Sequence, residues 1–599
     1  MEPFETQYIQ NVREIAALRD LGTADGTTFE AWYEKRLSSD ARIAELKAEN
    51  MSLLNRSLFP ILDDLHNASA ETVASLEAFA EQLMDWSTNL DCGVYILIHD
   101  ALLSLYRVRR DRGGIIKELY KLGMGLFYQN RSIESVERKH SAPFHFQNEM
   151  VFTEAGSYLK FFDQVEDETT KGFIIRALAN IAICAKDTRR RVAVSARILR
   201  IVRNEYYRNL APGLPWDVFL RRTQQQMSAN RDVLSKGDLS TEDLAAVLDA
   251  CHAVFEPEAN TDNPNIRWLW PYYEMEYSCG FVDLKTTLER MERLIRSIPY
   301  DQYDASGLYA NVQLPIYYGR LLRDNPSVRT KARYLQFLSE AYEKMMRTMM
   351  TLPQDRQDDF FVYNLNLVVK DYFETDGVPP YEEIALKLMR RFAGMHYADA
   401  LRTGALLKTL CRFIDRSDPS FFSDLDFLRD APDAETRSAA LADYAEKCGM
   451  FCDFGLIKMN FDRLMRTRSL FDPEFALYQL HAVSGHDDLA ARKSTARYAD
   501  VALGHHRWYN GAAGYPESYV RNESRYRQMT DVAAVAVYLI DRADEDPNAA
   551  ILEAISLGGK RFSPLVTAFL DDPECRAELL QVLTADRERY YRAVFEQLS

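Results

Sequence analysis

The chain has 599 residues, 47% of them hydrophobic and 27% charged, with a formal net charge of −16. That length exceeds what one hydrophobic core can serve and predicts roughly two to four domains. The composition is that of a globular protein rather than a disordered or membrane-embedded one, and the acidic balance argues against a binder of nucleic-acid polymers, which must neutralise phosphates with a basic surface.

Along the chain, the opening MEPFETQYIQNVREI has no basic segment followed by an apolar core, so no secretory signal is expected. The most apolar stretch, Val94 to Tyr106, is interrupted by His99 and Asp100 and falls short of the roughly 20 residues a membrane span needs. Eight cysteines without framework spacing predict reduced thiols and a cytoplasmic protein. Only Cys448 and Cys452 are spaced to share a helix face. Apolar residues recur at helical spacing: Leu76, Phe79, Ala80, Leu83 and Leu90 form one stripe, and Leu244, Val247, Leu248, Cys251 and Phe255 another, opened by the N-cap candidate Ser240. Alternation of the strand type is scarce, so the fold class is all-α. Turn clusters GTADGTT, APGLPWD, EPEANTDNPN and DGVPP separate the helices, and Asp376 to Pro380 is the best candidate linker.

Residues 1–375 therefore read as a helical sensory or interaction region, of one or two subdomains, and 380–599 as a second domain. The first has the character of stacked helix pairs of the tetratricopeptide type, without a clean 34-residue period. Within it, Arg189, Arg190, Arg191, Arg197, Arg200, Arg203 and Arg208 make a basic stretch, either a solvated face paired with acids or a surface for an anion or partner. The aromatic run from Trp268 to Tyr277 is either core or a platform for a ligand.

Chemistry concentrates in the second domain. Of ten histidines, His481, His486, His505 and His506 fall within 26 positions. Imidazoles grouped with carboxylates are what a divalent metal site requires, nitrogen and anionic oxygen donors together suiting zinc, iron or manganese.

HHRWYNGAAGYP, from His505 to Pro516, resembles the HisHis and GYP signature of the HD-GYP family, with two residues between Gly511 and the Gly514, Tyr515, Pro516 triplet. CDFGLIKM from Cys452 resembles the family's HDIGKI element, and the run through FDPEF to His481 and Gly485 follows it. His396 in MHYADALRTGALL resembles the domain's first histidine, SRYRQMTD ending at Asp531 resembles the ARIVAVAD element, and GGKRFSPLVTAFL resembles the terminal segment. The resemblance implies a helical bundle that holds metal ions and hydrolyses cyclic di-GMP, with Asp453 as bridging and catalytic carboxylate and His396, His481, His505, His506 and Asp531 as further ligands. Two adjacent ions would activate water and neutralise charge on the phosphate.

Several departures fall on that chemistry. Cys452 replaces the histidine of the HD pair, Leu456 the substrate lysine, Arg507 the glutamate after HisHis, and Asn510 the aspartate before Gly511. Losing a ligand and the phosphate-binding lysine together weakens both metal and substrate binding, and an inward Arg507 would add unfavourable positive charge. Cys452 as a thiolate offers one rescue, a zinc-like site with Asp453, His481 and Asp531 or a paired histidine. The expectation is a cytoplasmic signalling protein with a degenerate HD-GYP domain, one or two divalent ions (Zn, Fe or Mn), and action through ligand or protein binding. Two alternatives stay open: an active phosphodiesterase with an altered metal centre, and a scaffold whose helical region takes a protein partner while the second domain supports or dimerises it.

Overall fold

The computed structural model describes residues 4–19, 27–84, 89–236, 238–262, 264–353, 364–393, 395–459, 467–542, 546–585 and 587–598. It is all-α: among the described residues the only β pairings are isolated bridges. Most of the GTADGTT turn lies outside them. No helix among the described residues is long and apolar enough to cross a membrane.

The helices begin where short polar side chains can accept their first free amides. Asp91, Asp111, Asp187 and Ser240 do this for the helices Cys92–Arg109, Arg112–Asn130, Thr188–Arg203 and Thr241–Ala259. Leu76, Phe79, Ala80 and Leu83 are buried, as are Val247, Cys251 and Phe255, so the apolar stripes do face inward. Successive helices from Cys92 to Ser278 pack on one another, and Arg112–Asn130 also meets Glu168–Cys184, two elements on. That is the neighbour pattern of stacked helix pairs.

The expected linker is a packed turn. Tyr372 donates its hydroxyl to the Pro379 carbonyl at 2.8 Å, Tyr381 reaches back to the Val369 carbonyl at 2.9 Å, and Glu374 accepts from the amides of Tyr381 and Ser494. One hydrophobic core runs unbroken from Ile266 to Leu583. A second joins residues 8–136 to Leu456, Met459 and Leu477. The helical region therefore grips the segment that carries the candidate ligands.

That segment lies among Met395–Ser417, Ala434–Phe451, Leu480–Ala490, Ala499–Gly504 and Arg527–Arg542. Gly455 permits the closest approach: a Cβ there would come within 2.0 Å of the His481 carbonyl oxygen and 2.7 Å of the Gly485 amide nitrogen. Only glycine lets the turn after Asp453 press against the helix that bears His481.

Candidate metal centre

Asp453 follows the Ala434–Phe451 helix and leads into a short 3-10 turn, Phe454–Lys458. Its Oδ1 lies 3.2 Å from His481 Nε2 and 3.3 Å from His505 Nε2. With His506, these residues bring one donor atom each within 4.8 Å of one another. Asp453 Oδ1 and the Nε2 atoms of all three histidines are buried and have no hydrogen-bond partner.

The other ring nitrogens explain the orientation. His481 Nδ1 donates to the Tyr478 carbonyl at 2.8 Å, and His505 Nδ1 to the Ala502 carbonyl at 2.9 Å. In each case the hydrogen bond to a backbone carbonyl three residues earlier holds the proton on Nδ1 and turns the Nε2 lone pair inward, as in metal-bound histidines. Burial, reinforced by His505 and His481, holds the His506 imidazole well below its ordinary range, in the neutral form that ligates metals. Burial pushes the Asp453 carboxyl up, but the electrostatic influence of the facing His481 and His505 rings outweighs it and holds the group well below the ordinary carboxylate range.

Two of the donor separations match a divalent ion. Ligand bonds of about 2.0–2.1 Å in a tetrahedron give ligand-to-ligand edges of about 3.3 Å, and the Asp453 separations are 3.2 and 3.3 Å. The Asp453 side chain is 39% exposed while both histidine partners are 0% exposed. The buried donors thus sit at the base of a recess that solvent can enter.

Three expected ligands are not among these converging donors. Asp531 is clamped by Arg521, whose Nε donates to both carboxylate oxygens at 2.8 and 3.1 Å; it anchors the loop before its helix. His396, at the start of Met395–Ser417, is not among the converging donors. Cys452 points its thiol to the Cys448 carbonyl at 3.2 Å, and burial, with Asp453 and Cys448 adding to it, pushes that thiol well up. It is a neutral buried thiol rather than a thiolate ligand. His486 also turns away, to Asp487, which Lys139 and His140 hold from the helical region.

Two carboxylates missing from the sequence reading act electrostatically near the site without joining the four converging donors. Desolvation, with the charges of Asp453 and Asp399, pushes the Asp541 carboxyl up to about 7, against the pull of His505 and Arg561. Asp541 nevertheless keeps an exposed face, so it lines the recess rather than the core. Asp399 stands one turn beyond His396. The signal for Asp541 was present: the aliphatic run ending Val537, Tyr538, Leu539, Ile540 precedes it as naturally as RYRQMT precedes Asp531.

The departures have physical roles. Leu456 is buried among apolar residues of the N-terminal helices, where a lysine would be costly. Arg507 points out of the recess: its guanidinium donates to the carbonyls of Gly511, Ala513 and Gly514 at 2.6, 3.1 and 2.9 Å. Asn510 accepts from the Ala512 amide, and the Asn510 and Tyr509 amides donate to Lys560 and Arg561, fixing the loop to the terminal segment. Gly514 has φ of 76°, and a Cβ there would meet the His506 carbonyl at 2.1 Å. The cis Tyr515–Pro516 peptide follows. Tyr515 lies over His506, with ring centroids 4.6 Å apart, and edge-on to His481 at 5.8 Å, forming one wall of the site.

No protein-family model matches the chain, and no curated protein matches its sequence. The functional reading therefore rests on the motifs and on this geometry.

Proposed function

We propose that this chain is an HD-GYP-like protein whose Asp453, His481, His505 and His506 hold a divalent ion, and that it binds a cyclic dinucleotide such as cyclic di-GMP without hydrolysing it as a complete site would. One observation carries the reading: four buried donor atoms converge within 4.8 Å and none has a partner, a condition that is costly unless an ion satisfies them. When bound, the ion supplies Lewis acidity toward a phosphate oxygen. Asp453 balances part of its charge, the two Nδ1 bonds keep His481 and His505 aimed, and Tyr515 offers an aromatic wall. Arg561, which acts electrostatically on Asp541, Tyr515 and His506, brings positive charge to the recess in place of the lysine lost at Leu456. The buried thiol of Cys452 and the core position of Leu456 support weakened hydrolysis.

A second reading, an active phosphodiesterase with an altered centre, is favoured by Asp541 and Asp399, which offer carboxylates for a second ion. The stacked helices before residue 375 are proposed as the protein-binding part, and eight cysteines with no disulfide among them suit a cytoplasmic location. The test is metal analysis of protein purified without chelator, followed by titration with cyclic di-GMP and assay for linear and mononucleotide products. The expected result is about one ion per chain, lost in His505→Ala, and saturable binding with little product. Manganese- or iron-dependent turnover abolished by His505→Ala would move the conclusion to the second reading. Metal at background after incubation with zinc, iron and manganese would refute both.

A further inference from the structure

The helical region contains a cavity of about 600 Å3, between the end of the Trp216–Ser228 helix, the helices Thr241–Ala259 and Ile266–Ser278, and residues 303–317. Small-molecule sites occupy about 300–1,000 Å3, so the space is of functional size. Two aromatic pairs line it. Phe255 and Trp268 have centroids 6.2 Å apart with planes at 34°, and Tyr309 and Tyr317 lie 6.4 Å apart on another element. The aromatic run noted in the sequence thus divides: Trp270 is 1% exposed core, whereas Trp268 faces the cavity.

The backbone supplies independent evidence. The helical segment from Ala305 to Asp324 is interrupted by a π-turn over Tyr309–Gln313. Such turns widen a helix by one residue and recur at functional sites. Here the widening leaves Tyr309, Gln313 and Tyr317, successive at four-residue spacing, all lining the same space, with the Gln313 amide held by the Asn364 side chain at 3.1 Å.

Charge discriminates further. Arg231 is committed to Glu274, Nε to Oε2 at 2.6 Å. Asp304 also lines the cavity, its Oδ1 taken up by the Gly307 amide and the Gln302 side chain, whereas Arg267 lines it, acts electrostatically on the Tyr309 hydroxyl, and has no ion-pair partner among the described residues. An unpaired guanidinium beside aromatic faces suits a ligand with a flat ring and an anionic group.

We infer that this cavity binds a small planar aromatic or heteroaromatic anion, its ring against Trp268 and the tyrosines, its anionic group on Arg267, and its polar edge on Gln225 and Gln313. This site is separate from the metal centre and does not depend on the function proposed for it. The same chemistry is offered by a purine nucleoside 5′-monophosphate and by an indole carboxylate, which form the two arms of the test. Full-length protein is titrated calorimetrically with AMP, GMP and indole-3-acetate, and with adenosine, guanosine and indole-3-acetamide as neutral counterparts.

Saturable binding in one arm is expected, weakened about tenfold or more by Arg267→Ala for the anion but not for its neutral counterpart, and weakened for both by Trp268→Leu. His505→Ala should leave it unchanged. Arg267 is exposed, so its variant is expected to fold, which the urea midpoint checks. Absence of saturable binding up to millimolar concentration in both arms would overturn the inference. So would affinity indifferent to Arg267→Ala, or affinity lost in His505→Ala, which would place the ligand at the metal centre.

Discussion

Two clusters of ionisable groups interleave along the chain, Arg468 and Glu474 of one lying between Asp453 and His481 of the other. Arg468, Asp91 and Glu474 have side chains 0%, 3% and 2% exposed. Arg468 places Nη2 2.9 Å from Asp91 and 3.0 Å from Glu474, and Nη1 2.8 Å from Glu474, with its guanidinium over the Phe471 ring at 3.4 Å. Tyr8 and Thr467 donate to the remaining Asp91 oxygen. The Asp453 cluster is open to solvent on one side, yet its four inward atoms are buried and have no partners. Burial of charge marks neither structure nor function alone; the Arg468 cluster leaves the Arg468 Nε unmet, whereas at Asp453 four unmet donor atoms converge within 4.8 Å, and that convergence separates the two.

The sharpest way to break that comparison is Arg468→Met. It strands two buried carboxylates and should cost about 3–5 kcal/mol, read from urea unfolding, with metal content per folded chain unchanged. A loss under about 1 kcal/mol would mean that the satisfied cluster does not stabilise the fold.

Acid sensitivity should follow from His145, whose ring burial, aided by Lys186 and opposed by Glu134, pushes down to about 4 from its ordinary 6.5. The unfolded chain takes the proton first, so the contribution is complete above pH 6.5 and is lost as pH falls toward 4. At about 1.4 kcal/mol per unit it amounts to about 3 kcal/mol. His145→Gln should flatten the stability profile in that window; an unaltered slope would assign the sensitivity to other groups.

At the unsatisfied cluster, metal at a hundredfold excess over its dissociation constant should raise stability by about 2.7 kcal/mol. Chelation should remove that gain and His505→Ala should abolish it. A gain of equal size in the variant would place the ion elsewhere.

The smallest effect tests the two aspartates against each other. Asp531→Asn should cost about 1–3 kcal/mol through the weakened Arg521 pair, leaving metal affinity intact. Asp541→Asn should weaken metal binding with little loss of stability. The reverse outcome, read by calorimetry and urea titration, would restore Asp531 to the site.

Much of this was legible because it is local. Helical spacing and caps such as Ser240 depend on residues within a few positions, and His481, His505 and His506 announce themselves by residue type. What failed depends on distant partners. Asp376 to Pro380 looks like a free turn until Tyr372, Tyr381 and Ser494 are seen to fasten its ends. Asp531 and Asp541 share a helix, and only the position of Arg521 across the preceding loop shows which carboxylate is occupied. Cys452 as a ligand required a thiolate, whereas the surrounding core keeps it a thiol. Leu456 looked like a deletion of function, and its packing against the N-terminal helices supplies the reason for the exchange.

The packing of Leu456, Met459 and Leu477 into a core shared with residues 8–136, with Ser135 bonded to the Lys458 carbonyl and Asp487 held by Lys139 and His140, couples the two halves thermodynamically. Any partner that engages the first helices more tightly in one arrangement of this joint must shift metal affinity by the same factor that the metal shifts partner affinity. Were the proposed ion and a partner both to bind, metal occupancy would report what the far end of the chain has bound, whether or not any phosphodiester is cleaved.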